Sequence, residues 1–193
     1  VSKAISIPVT VKIRLGWCEN TSAPVSFALG LQEAGAQLIT VHGRTRRQGF
    51  SGHANWEAIS KIKKSLDIPV IANGDIKNSQ DAIDCLKITN ADGVMIGRAS
   101  MGAPWLVGQI DEEIKNQKTF KPPDAKMKVS LSLEHLKLLV SKKGNHGLLI
   151  ARKHMNWTCR GFEGASSLRH KLVRASTPQD AIELLEDELI KFN

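Results

Sequence analysis

Four short runs rich in β-branched and apolar residues recur along the first part of the chain, over residues 9–13, 38–42, 69–73 and 93–96, about 24 to 31 residues apart. Each is followed by turn residues and then by a stretch of helical periodicity, over 22–35, 55–66, 79–90 and 102–115, which is the repeat of a βα unit. Runs such as Val70-Ile71-Ala72 and Val94-Met95-Ile96 are apolar without alternation, which suits parallel strands buried on both faces. Ser79 stands as an N-cap ahead of Ala82, Ile83 and Leu86, and Gly35 sits where the first helix should stop. Four such units make either half of a (β/α)8 barrel or a small open sheet.

Beyond a linker at 118–124 with Pro122 and Pro123, the strand rhythm gives way to helical patterns over 125–142, 146–161, 165–174 and 178–190. Pro178 is suited to a first helical turn after Ser176 or Thr177. Two domains are therefore expected, 1–117 and 118–193.

A length of 193 residues with 41% hydrophobic and 24% charged content excludes a disordered tail. No apolar run approaches the ~20 residues of a membrane span, so no membrane partner is expected. Cys18, Cys85 and Cys159 are odd in number and widely separated. They suggest neither a disulfide framework nor a metal site, and a cytoplasmic location is expected. The opening on Val1 is read as a sign of a fragment.

The net charge of +8 is unevenly distributed. Residues 1–117 carry 13 Lys and Arg against 11 Asp and Glu, residues 118–174 carry 13 against 3, and the last 19 carry 1 against 5. Such a basic block is the footprint of a polyanion-binding surface, with nucleic acid the commonest partner; a solvated basic helix face has the same composition.

Every strand ends in candidate chemistry: Lys12 and Arg14, then His42-Gly43-Arg44-Thr45-Arg46, then Asn73-Gly74-Asp75, then Gly97-Arg98. In barrels the chemistry sits at this end of the strands. Gly74 and Gly97 let backbone approach a ligand, and Arg98 adds charge for a phosphate, although a glycine after a strand is equally a simple turn. Lys12 alternates with Val11 and Ile13, so its amine faces away from theirs, toward an anion or toward solvent at an edge. Within the helix expected at 146–161, Arg152, Lys153, Asn156, Trp157 and Arg160 share an arc of about 140°, opposite an apolar arc of Leu148, Ala151, Met155 and Cys159. A cationic face with an aromatic ring suits RNA; Trp157 could equally be core.

Five ordered motifs carry a resemblance that runs nearly end to end. They are Pro-Val-Thr-Val-Lys-Ile-Arg-Leu-Gly at 8–16, Val-His-Gly-Arg-Thr-Arg-Arg-Gln-Gly-Phe-Ser-Gly at 41–52, Ile-Pro-Val-Ile-Ala-Asn-Gly-Asp-Ile at 68–76, Gly-Val-Met-Ile-Gly-Arg-Ala at 93–99 and Arg-Lys-His-Met-Asn-Trp at 152–157. With these the chain resembles the tRNA-dihydrouridine synthases of bacterial type. The resemblance implies an α/β fold, the C-terminal half of a TIM (β/α)8 barrel, followed by an all-α tRNA-binding domain.

It further implies reduction of uridine in tRNA to 5,6-dihydrouridine with FMN as cofactor and NADPH or NADH as electron donor. By the resemblance Lys12, His42, Asn73, Gly74, Asp75, Gly97 and Arg98 would bind FMN. Arg44, Arg46, Arg152, Lys153, His154 and Trp157 would meet tRNA. The family's general-acid cysteine would lie upstream of Val1, so no catalytic residue is assigned and the chain by itself is expected to be inactive. The full-length protein is expected to be monomeric. A non-catalytic RNA-binding remnant is the alternative, and an FMN oxidoreductase of small molecules is a third reading, against which the basic helices argue.

Overall fold

The computed structural model describes residues 1–19, 23–116 and 120–192. Four strands, β1 (Thr10–Arg14), β2 (Leu38–His42), β3 (Val70–Asn73) and β4 (Gly93–Met95), alternate with helices α1 (Pro24–Glu33), α2 (Trp56–Ser65), α3 (Ser79–Thr89) and α4 (Leu106–Asn116). Four further helices follow without strands: α5 (Ala125–Lys143), α6 (Asn145–Thr158), α7 (Ala165–Arg174) and α8 (Pro178–Ile190). The strands pair in parallel and in sequential order, β1-β2-β3-β4. An open doubly wound sheet would reverse that order at a switch point, so this is the succession of barrel units. The fold is α/β, of (β/α)8-barrel type, followed by an all-α region.

The register explains the apolar runs. Ile13, Ile39, Val41, Val70 and Ala72 occupy the buried face against the helices, while Lys12, Thr40 and Ile71 share one cross-strand row on the opposite face. Burial on both faces holds for β2, whose Thr40 and His42 are also enclosed. It does not hold for Lys12 and Met95, which are exposed. Their strands, β1 and β4, each have one neighbour among the described residues.

Local chemistry sets the helix ends. Asn78, extended at φ −153°, caps α3 by accepting from the Asp81 amide at 2.8 Å. Ser79, expected to be the cap, is instead the first helical residue. The chain leaves α1 through Gly35 at φ +96°, as expected, while the expected start at residue 22 lies outside the described residues. The helix expected from 102 begins at Leu106, because Gly102 takes φ +76° and Pro104 disfavours helical backbone at the residue before it. Helix α6 stops at Thr158, since Cys159 turns to ψ 72°. Thr177 caps α8 in a capping box with Asp180.

By its internal contacts the chain divides into two compact units, Val1–Ala99 with Leu106–Lys118, and Ser100–Trp105 with Thr119–Asn193. The boundary expected between 117 and 118 falls outside the described residues. Segment 100–105 groups with the helices through a close approach: a Cβ on Gly102 would lie 2.5 Å from the Trp157 carbonyl carbon. The helical unit has its own core of Val129, Leu136, Leu148, Met155, Leu172 and Leu185, among others. Among the described residues no helix is long and apolar enough to cross a membrane.

Candidate functional site

The last residues of the four strands stand level. Arg14 pairs with His42, His42 with Asn73, and Asn73 with Met95, so their side chains leave one face of the sheet in a single row at the C-terminal ends. Asn73 Nδ2 donates to the Met95 carbonyl at 2.8 Å, tying β3 to β4. Arg14 Nη1 donates to the carbonyls of Thr45 and Gly49 at 2.9 and 3.0 Å and so holds the loop after β2.

Arg44, 1% exposed, is the largest fully buried side chain among the described residues. Its Nε donates to Ser51 O at 3.0 Å, and its Nη2 to Gly52 O at 2.6 Å and to both Asp75 oxygens at 2.7 Å. Asp75 Oδ2 also accepts from the Ala54 amide at 2.7 Å. Asp75 sits at φ +61° after Gly74 at φ +124°, and a Cβ on Gly74 would fall 2.7 Å from Ala54 Cβ. Only glycine fits there without displacing the loop. The Trp56 indole N–H closes the turn by donating to Gly74 O at 3.1 Å.

This network differs from the expected roles of two residues. Arg44 offers no free guanidinium to a nucleic acid, because buried partners claim it. Asp75 presents no free carboxylate edge. Burial acts to raise its pKa, but the Arg44 and Ala54 hydrogen bonds and the charges of Arg44 and Arg98 outweigh it and hold the carboxyl below the usual range.

His42 is buried, and its pKa is pushed down to about 4, first by burial and then by the positive charges of Arg14, Lys12 and Arg44. It is neutral at pH 7. Its Nε2 lies 3.5 Å from Arg44 Nη1; arginine only donates, so Nε2 is the accepting nitrogen. Partial desolvation of its stem and then the Arg14 charge also lower the Lys12 pKa. Arg98, half-exposed, reaches Asp75 Oδ1 at 3.5 Å and covers the Phe50 ring at 4.5 Å, with Arg14 5.8 Å from the same ring. A Cβ on Gly97 would meet nothing within 4 Å, so packing does not require glycine there.

Lys12, Arg14, His42, Asn73, Gly74, Asp75 and Arg98 are thus drawn together by the strand ends, their registers and the Asp75 network. Arg46 lies on the exposed loop surface; its backbone N–H donates to Gly16 O at 2.8 Å and its carbonyl accepts from the Gly49 amide at 3.2 Å. Sequence reasoning missed Phe50, 60% exposed between two arginines. The signal available for it was its place between Gly49 and Gly52 along the chain. Cys85 and Cys159 are buried; burial pushes the Cys85 thiol up to about 11 and also raises that of Cys159. Cys18 is half-buried and lines a cavity of about 330 Å³ with Glu19, Thr45, Arg47 and Gln48.

In the helical unit, part of the basic block is used internally. Lys128 Nζ donates to Arg160 O at 3.1 Å, and Arg169 Nη1 to Cys159 O at 2.9 Å. Both thereby satisfy carbonyls at the negative end of α6. Arg152 Nη2 donates to Ala175 O at 2.7 Å, and its Nε is buried without a partner; the half-buried side chain therefore reaches the α7–α8 connection. Lys153 is exposed, with Nζ 4.9 Å from the Trp157 ring. His154 stands edge-on to Trp157, with ring centroids 5.6 Å apart.

The family model described as dihydrouridine synthase matches residues 1–193. The chain is 47% identical over 189 residues to a probable tRNA-dihydrouridine synthase 1 of Synechocystis sp., covering 98% of this chain and 53% of that protein. It is 40% identical over 191 residues to a probable tRNA-dihydrouridine synthase of Rickettsia bellii, covering 98% and 57%. Against tRNA-dihydrouridine synthase B of Xanthomonas axonopodis pv. citri it is 39% identical over 189 residues, covering 97% and 57%. The chain spans about half the length of these relatives. With its five motifs gathered on one barrel face and one helical unit, it belongs to the dihydrouridine synthase family.

Proposed function

We propose that this chain supplies the C-terminal barrel half and the RNA-binding helices of a cytoplasmic, FMN-dependent tRNA-dihydrouridine synthase that draws its electrons from NADPH or NADH. The general-acid cysteine and the other four βα units would be contributed by residues ahead of Val1. The observation that carries the reading is the level row of strand ends, where Arg98 reaches the Asp75 carboxylate already neutralised by Arg44, while Lys12 and Arg14 stand on the same face of β1. The resulting face is cationic, has room beside Gly97, and suits a phosphate-bearing aromatic cofactor.

Bound FMN would supply the hydride for the uracil ring. Gly97 and Arg98 would hold its phosphate, with Gly74 and Asn73 beside the ribityl chain. Lys12 and His42 would meet the ring. His42, neutral and accepting at Nε2, donates only from Nδ1. Asp75 repels phosphate, so its part is to fix the Gly74 turn and Arg44. Arg46, Lys153, His154 and Trp157 would contact the RNA, while Arg152 would act by holding the α7–α8 connection.

The test is to express the complete reading frame containing this chain, record the flavin absorption spectrum of the purified protein, and incubate it with unmodified tRNA and NADPH. A flavin-loaded protein that adds two hydrogens to a tRNA uridine, measured by mass spectrometry, is expected. Tight tRNA binding with neither flavin nor product would favour a non-catalytic RNA-binding remnant.

A further inference from the structure

Helix α5 brings a ring from outside the motifs, His135, to two rings of the α6 motif at 152–157. His135, exposed on α5, lies 4.9 Å between centroids from His154 on α6, tilted by 59°. His154 in turn meets Trp157 at 5.6 Å and 87°. Residues 154 and 157, and 153 and 157, share one helix face by spacing, so Lys153 Nζ sits 4.9 Å from the same indole. The result is a run of three rings across two helices, ending in a cation, in a stretch of the chain, residues 118–174, that carries 13 basic against 3 acidic side chains.

Packing alone does not account for the run. The core of this unit is built from Val129, Leu136, Leu148 and Met155, without these rings. A metal site is not indicated: among the described residues no group of three or more His, Cys, Asp and Glu side chains is placed to hold an ion, and zinc sites need three or four ligands. Partial desolvation against α6, and then the neighbouring His154, hold the His135 imidazole below the ordinary histidine value, so at neutral pH and above it offers a flat uncharged face and not a cation. Flat rings stack on bases of any sequence, but only on bases whose faces are free; a duplex keeps its bases stacked on each other.

Resting on the RNA reading above, we propose that His135, buttressed by His154 and through it by Trp157, offers a stacking face for an unpaired base of the bound RNA, with Lys153 taking the adjoining phosphate. A surface that bound RNA by charge alone would not distinguish single strands from duplexes in this way.

The test uses the full chain at pH 8 and fluorescence anisotropy, with a single-stranded uridine oligonucleotide and an RNA duplex of equal charge, each over a salt series. His135→Ala is expected to weaken single-strand binding about five- to tenfold with the salt slope and duplex binding unchanged, and His135→Trp to restore it. Lys153→Gln should lower the slope by about one. Equal losses on both RNAs, or unchanged single-strand binding by His135→Ala, would overturn the stacking face while leaving the RNA reading intact. Failure of the unaltered chain to bind either RNA would overturn both.

Discussion

Arg44 Nη2 donates to both carboxylate oxygens of Asp75 at 2.7 Å, although the two residues stand 31 positions apart and on different strand ends. The pair joins the loop after β2 to the turn after β3 and gives the face at the strand ends its shape. Its guanidinium is buried, and removing one partner leaves the other charge without compensation.

Asp75→Asn therefore should cost about 3 kcal/mol of stability, measured by urea denaturation of the chain. Asparagine tolerates the left-handed backbone at this position, so the loss isolates the charge. A change below about 1 kcal/mol would show that the Ser51 and Gly52 carbonyls hold Arg44 sufficiently on their own.

Stability should fall on acidification in two separate windows. The His42 pKa is about 4 in the fold against 6.5 unperturbed, so the unfolded chain binds more protons between these values. The stability that follows is whole above pH 6.5 and is lost as pH falls toward 4, on the order of 2 kcal/mol. Asp75, depressed below its ordinary 3.8, contributes stability that is whole above that value and is lost below it as pH falls through the folded pKa. Denaturation curves of the unaltered chain and of His42→Asn from pH 7 to 4.5 should converge as the pH drops, and parallel curves would exclude His42 as the source.

Two glycines on the same face should behave oppositely. Gly74→Ala meets both a φ of +124° and an approach of 2.7 Å to Ala54 Cβ, so a loss of about 2 to 4 kcal/mol is expected. Gly97→Ala meets nothing within 4 Å and should leave stability within about 0.5 kcal/mol. In the complete protein it should weaken flavin retention, measured by equilibrium dialysis against free FMN.

Neighbouring basic residues on α6 should separate in the same manner. Arg152→Gln removes the bond to Ala175 O and should cost about 1 to 3 kcal/mol, read as a lower thermal midpoint. Lys153→Gln, on an exposed side chain, should stay within about 0.5 kcal/mol. Similar midpoints for the two variants would mean that the Arg152 bond contributes little to the unit.

The α/β succession and most helix limits were legible along the chain because they are written in nearest-neighbour chemistry. Strand runs at βα spacing, Gly35 after α1 and Thr177 ahead of Pro178 each act within a few residues. The one misplaced cap, Ser79 for Asn78, arose between adjacent residues of equal capping ability. The strand-end motifs were also visible in order, and parallel registers align such ends without further information.

Which of those polar residues remain accessible was decided by the tertiary structure alone. Arg44 and Arg46 stand two apart in one motif, yet one is enclosed by Asp75 and the carbonyls of residues 51 and 52 while the other is exposed. Arg152 and Lys153 are adjacent, and only the first reaches Ala175, 23 residues on. A count of charges cannot separate them, because a cation is free or engaged according to distances of a few ångströms between segments far apart in sequence. The same holds for His135 and His154, 19 residues apart and brought to 4.9 Å by helix packing. Sequence determined the order of elements and the family; three-dimensional packing determined which charges and rings were left available to bind.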